Sequence, residues 1–146
     1  MITVIGVPDV PGTAAGLFRS LAKGGISITM IVQNAPDAGS AAMTFTVARN
    51  DANAAMDIVR GRMVEVGAEG CMRDDNIARL SVWGKHLEET TGIAGDFFSI
   101  LADSGINVLA INTTSDVVSC IIEDAHIDKA VQLIAQRFGL SVERID

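Results

Sequence analysis

Apolar and polar positions along this chain follow two periods that alternate in blocks. "ITVIGV" (2–7) and "ARLSVWG" (78–84) are short runs rich in β-branched and apolar residues, which predicts two strands closing near Gly6 and Gly84. Ala14, Leu17, Phe18, Leu21 and Ala22 then recur at helical spacing, and Gly24 with Gly25 supplies a left-handed stop. Ile93, Phe97, Ile100 and Leu101 repeat that stripe ahead of Gly105. "ISITMIVQ" (26–33) and "AAMTFTVA" (41–48), parted by the turn-rich "NAPDAGS" (34–40), predict a hairpin. "INVLAINT" (106–113) and "VVSCIIE" (117–123) predict its counterpart around Thr114, Ser115 and Asp116. Helices over 52–66 and 127–138 close at Gly67 and Gly139, each trailed by an expected edge strand, "EGCMR" (69–73) and "LSVERI" (140–145).

The blocks are two copies of one pattern. "ITVIG" (2–6) aligns with "LSVWG" (80–84), and "GTAAGLFRSLAKGGISITMI" (12–31) with "GIAGDFFSILADSGINVLAI" (92–111). The offset grows from 78 to 80 across the turn, so the second copy carries two extra residues there. The order βαββαβ, twice, predicts an α+β fold of two ferredoxin-like units with helices on one face of an antiparallel sheet. The units are expected at 1–73 and 78–146. "RDDNIA" (73–78) is too short to separate independent domains, so the units are expected to be packed together. A unit of ~70 residues buries a small core, which also favours dimerisation.

Composition narrows the function classes. Of 146 residues, 49% are apolar and 20% charged, enough to build a core and unlike a disordered chain. A net charge of −7 without a basic cluster argues against a nucleic-acid partner, and aromatics at 4% with no RNP-type run set aside RNA readout. Cys71 and Cys120 lie far apart, without CxxC or Cys/His ligand spacing, which suits packing residues in a reducing cytosol. The N-terminus lacks a basic signal-peptide region, and no apolar run approaches the ~20 residues of a membrane helix. The expectation is a cytoplasmic protein with no membrane partner.

The candidate chemistry gathers at "IGVPDVPGTAAGLF" (5–18). Pro11 and Gly12 let a helix begin at about Thr13, leaving first-turn N–H groups free for an anion such as a carboxylate. Gly12, Ala14 and Ala15 are small enough for a close approach, and Asp9 across the turn suits an ammonium group. Together they complement a zwitterion. Gln33 and Asn34, at the end of the following strand, add amide donors and acceptors. Asp9 in a proline-rich turn is also an ordinary Asx-turn or capping residue, and Gln33 and Asn34 are ordinary turn-formers.

Catalysis has little to rest on. No GxGxxG, GxxxxGK[ST], HExxH or GxSxG occurs. His126 begins a helix beside Asp124 and Asp128, and His86 lies with Glu88 and Glu89 in the longer second turn. That turn is either an exposed charged loop or a small proton-transfer or metal-binding cluster. Trp83 is expected in a core or interface, and Phe97 and Phe98 in helix-face packing. A structural dimerisation module without ligand is a further alternative.

"VIGVPDVPGTAAGLFRSLAKGGISITMIVQN" (4–34) closely resembles the first ACT domain of aspartokinase regulatory regions, where a G-x-x-D-x-P-G-x-A-A turn leads to a helix and then to M-I/V-x-Q-N. "LSVWG", "TGIAGDFFSILADSGINV" and "AINTTSDVVSCII" resemble the second. The resemblance implies a regulatory amino-acid sensor without a kinase domain, needing no cofactor. It implies threonine or lysine as ligand, a homodimer, and an aspartokinase catalytic subunit as partner. By position it implies a site of Asp9, Pro11, Gly12, Ala14, Ala15, Gln33 and Asn34, joined by Asn107 and Val108 of the second unit. The second turn departs from the family: Glu89, Thr90, Thr91 and Gly92 stand in place of S-H-P-G, and Ser115 stands where a glutamate is expected.

Overall fold

The computed structural model of the protein describes residues 1–37, 40–85, 87 and 92–144. The chain divides into two compact units, Met1–Asp75 and Asn76–Asp146. The first unit runs β1 (Ile2–Pro8), α1 (Thr13–Lys23), β2 (Ile28–Asp37), β3 (Ser40–Val47), α2 (Ala52–Val66) and β4 (Gly70–Arg73). Its strands are antiparallel in the order β2-β3-β1-β4. Alternation along β1 and β3 turns Ile2, Val4, Val7, Met43 and Phe45 inward, where Leu17 and Leu21 of α1 and Val59 of α2 meet them. Fully burying one such side chain contributes roughly 1.5–3 kcal/mol, so the apolar stripe decides which face each helix turns to the sheet.

One glycine reshapes the end of β1. Ladder register shifts between Val4, opposite Met43, and Val7, opposite Ala41, so Ile5 and Gly6 share one partner position in a bulge. Gly6 takes φ +67°, and a Cβ there would lie 2.4 Å from Glu69 Cγ. The strand therefore passes through this glycine to Pro8 instead of closing on it. The glycine stops behave as expected: Gly25, Gly67 and Gly139 have φ of +76°, +74° and +65°. The first hairpin is longer than its apolar runs, with the ladder continuing to Asp37 opposite Ser40.

The second unit runs β5 (Ile77–Trp83), α3 (Ile93–Asp103), β6 (Ala110–Thr113), β7 (Val117–Glu123) and α4 (Ile127–Phe138), with strand order β5-β7-β6. Leu80, Val82, Leu101, Cys120, Ile122 and Ile134 enclose Phe97, whose ring meets Phe98 edge-on at 5.1 Å. Burial pushes the Cys120 thiol up to about 12. β6 is shorter than "INVLAINT", beginning only at Ala110, and Ile106 N–H closes the end of α3 on the Leu101 carbonyl, 2.9 Å away.

One expectation fails here, and half of another. Leu140–Arg144 forms no strand: Leu140 N–H bonds the Ala135 carbonyl at the end of α4, and Arg144 pairs with Asp128 at the start of that helix. The chain thus runs back along α4, and Leu140 and Val142 stay exposed. Trp83 is not a core residue of its unit: it is 67% exposed, because its neighbour Val82 takes the inward position of β5.

Candidate functional site

β1 carries Pro8 to the end of the sheet, opposite Ser40, and the backbone turns at once. Val10 N–H donates to the Pro8 carbonyl at 2.9 Å, and Thr13 donates to the Val10 carbonyl through N–H (3.3 Å) and Oγ1 (3.0 Å). Gly12, at φ +98°, is the N-cap of α1, and no side chain caps that helix. The Ala14 and Ala15 N–H groups have no acceptor among the described residues; after Thr13, the next N–H to reach back is that of Gly16, to the Gly12 carbonyl at 2.9 Å. Their partial positive charge points out of the helix start.

Asp9 is exposed, and its carboxylate has no hydrogen-bond or ion-pair partner among the described residues. It neither caps α1 nor closes an Asx turn, so it carries an uncommitted negative charge beside uncommitted backbone donors. Gln33 and Asn34 stand opposite Met43 and Ala42, at the same end of the sheet as Val7 and Pro8. Alternation places Gln33 on the helix face with Met43, and Asn34 on the other face. Both are exposed.

A cavity of about 250 Å³ lies between the first turn of α1 and the last turn of α2. Gly12, Thr13, Gly16, Arg62, Glu65 and Val66 line it, and Arg62 is bonded to Glu65. The volume is below the ~300–1,000 Å³ of drug-sized sites, which suits a small ligand. Of the site residues read from sequence only Gly12 lines it. Arg62, Glu65 and Val66 carry no local signal, since α2 reaches α1 only through the fold. Asn107 and Val108 belong to the second unit, between α3 and β6. Asn107 is exposed, and Val108 packs against the second core.

His86, Glu88 and Glu89 lie outside the described residues. His126 Nε2 is 3.8 Å from Glu123 Oε2 on an exposed surface. No group of three or more His, Cys, Asp or Glu side chains among the described residues is placed to hold a metal ion. No helix among them is long and apolar enough to cross a membrane.

The family model of the ACT domain matches residues 2–62 and again residues 80–138. The chain belongs to the ACT domain family. The aspartokinase of Mycolicibacterium smegmatis is 36% identical over 141 residues, 95% of this chain and 34% of that protein. The aspartokinase of Pseudomonas aeruginosa is 34% identical over 139 residues, with the same two shares, 95% and 34%. The chain therefore spans about a third of the length of these curated relatives. Among solved structures, the ligand-free regulatory subunit of aspartate kinase from Thermus thermophilus superposes with a TM-score of 0.87 at 33% identity, covering 94% of this chain and 90% of that one. A chain from the crystal structure of aspartokinase alpha and beta subunits gives 0.88 at 32%, covering 95% and 91%. This tandem ACT chain is thus of the aspartokinase regulatory type.

Proposed function

We propose that this tandem ACT chain is a cytoplasmic, non-catalytic effector sensor that binds a small amino acid, threonine first and lysine second, at the turn of the first unit. The observation that carries the reading is the unpartnered Asp9 carboxylate beside the free N–H groups of Ala14 and Ala15. A zwitterion's ammonium pairs with the former and its carboxylate with the latter. Pro11 and Gly12 shape the turn, and Gln33 and Asn34 bond the ligand's polar groups. Regulation requires that the ligand bind two arrangements of the protein unequally. The regulated partner in this reading is an aspartokinase catalytic subunit, which supplies the phosphoryl transfer. The similarity to a regulatory subunit along 90% of its length supports the assignment.

Isothermal titration calorimetry of the chain against the common amino acids, repeated with Asp9→Ala, tests it. Saturable binding of threonine or lysine that the variant loses is the expected result. Silence across the panel, or binding indifferent to Asp9, rejects it.

A further inference from the structure

A groove of about 530 Å³ lies between α2 and the edge strand β4, apart from the first-turn cavity and larger than its 250 Å³. Such a volume falls within the ~300–1,000 Å³ of small-molecule sites. Met56, Asp57 and Arg60 line it from one stripe of α2, and Cys71, Met72 and Arg73 line it from β4. Met56 is buried and Cys71 half-buried against the first core, so the two make an apolar floor.

The charged groups above that floor are of two kinds. Arg73 is held in place: its Nη1 donates to Asn53 Oδ1 at 2.6 Å and its Nε to Asp75 Oδ1 at 2.5 Å. A guanidinium has five N–H donors, so three remain for another acceptor. Asp57 and Arg60 are exposed and have no hydrogen-bond or ion-pair partner among the described residues. On the same helix and at the same spacing, Arg62 and Glu65 are bonded to each other.

The repeat shows that these two charges are no requirement of the fold. Aligning 54–63 with 129–138 puts Gln132 and Ala135 at the positions of Asp57 and Arg60, and Asp128 at that of Asn53. Arg144 pairs with Asp128 as Arg73 does with Asn53. Both units thus tie an arginine to the start of the second helix, and the first alone adds the free pair.

We propose that this groove binds a second amino acid, one with a long apolar side chain. Its carboxylate takes Arg60 and the remaining donors of Arg73, its ammonium takes Asp57, and its side chain lies over Met56 and Cys71. A simple anion would leave Asp57 facing like charge, and a simple cation would face two guanidinium groups. Residues three apart on a helix have Cβ atoms about 5–6 Å apart, so one molecule with both charges on a single carbon reaches both. Asp9, Ala14 and Ala15 take no part, and the inference does not rest on the first-turn reading.

Heteronuclear NMR of the isotope-labelled full chain, titrated in turn with leucine, methionine and phenylalanine, tests it. The expected result is a saturable shift of the Asp57, Arg60 and Arg73 amide signals with at least one of them. Arg60→Gln and Asp57→Asn, exposed and without partners to lose, are each expected to weaken that binding at least about tenfold, and Asp9→Ala to leave it unchanged. The N-acetyl and amide derivatives of the same amino acid, each lacking one charge, are expected not to bind. Silence of these amides with all three probes overturns the proposal, as does a shift that both variants retain. An N-acetyl derivative that binds as tightly as the amino acid also overturns it, since the groove then takes any anion. A response confined to Ala14 and Ala15 and lost in Asp9→Ala upholds the first-turn site and rejects this one.

Discussion

Thr3 Oγ1 lies 3.0 Å from Thr44 Oγ1 on the face of the first sheet turned away from its helices. Ser81 Oγ lies 2.9 Å from Ser119 Oγ at the corresponding place in the second unit. Each pair joins directly opposed residues of neighbouring strands, Thr3 of β1 to Thr44 of β3 and Ser81 of β5 to Ser119 of β7. The repeat thus extends beyond the apolar core to a hydroxyl pair, each hydroxyl satisfying the other.

Removing one member leaves the other short of a partner in a half-buried position. Thr44→Val is expected to lower stability by about 1 kcal/mol, and the double variant Thr3→Val/Thr44→Val to cost less than the sum of the singles. Urea titrations of the four proteins in the cycle measure the coupling. Additive costs would show that the hydroxyls act separately.

Gly6 and Gly12 both have positive φ, but only Gly6 is crowded. Gly12→Ala meets no atom within 4 Å, so its cost is the left-handed backbone alone, about 1–2 kcal/mol. Gly6→Ala adds a collision with Glu69, whose Cβ, 2.7 Å from the new atom, cannot swing away. It is expected to cost clearly more. Denaturant midpoints for the two variants compare them directly, and equal costs would discount the collision.

The Cys120 thiol, raised by burial from the ordinary 9.0 to about 12, links stability to alkaline pH. Between these values the unfolded chain releases the proton and the folded chain retains it. Unfolding is therefore favoured as pH rises above about 9, and this thiol adds no pH dependence below that. Cys120→Ala is expected to flatten the fall in stability between pH 8 and pH 10 relative to the unaltered protein, read from urea midpoints at each pH. Parallel curves for the two proteins would refute the linkage.

Asp9 separates binding from folding. With no intramolecular partner to lose, Asp9→Asn is expected to change stability by less than about 0.5 kcal/mol. Amino-acid affinity is expected to fall at least about tenfold, since a charged hydrogen bond contributes roughly 1.5–3 kcal/mol. Thermal unfolding and calorimetric titration of one preparation read both, and a large stability loss would mean that Asp9 serves the fold.

Short-range patterning carried much of the architecture. The helix bounds at Thr13, Ala52 and Phe138 follow from apolar spacing closed by left-handed glycines, a local matter of sterics. Asp9 and Gly12 were legible as site candidates because proline and glycine punctuate the turn that holds them. Arg62 and Glu65 were not, since on α2 they look like any exposed pair of opposite charges. "LSVERI" alternates as a strand does, yet Leu140 and Arg144 are tied to α4, and a pattern of period two holds no information about such ties.

The sequence by itself determined the doubled βαββα order, the helix stops, the inward residues and the family, because each depends on neighbours a few positions apart or on a repeated spelling. Tertiary structure alone decided the strand order β2-β3-β1-β4 and the bulge that carries β1 past Gly6. It also decided the meeting of α1's first turn with α2's last, and the exposure of Met72 and Trp83. Those features depend on which distant segments lie side by side, and that is chosen by the joint burial of Phe45, Leu17 and Val59 in one unit and of Phe97, Leu101 and Ile134 in the other.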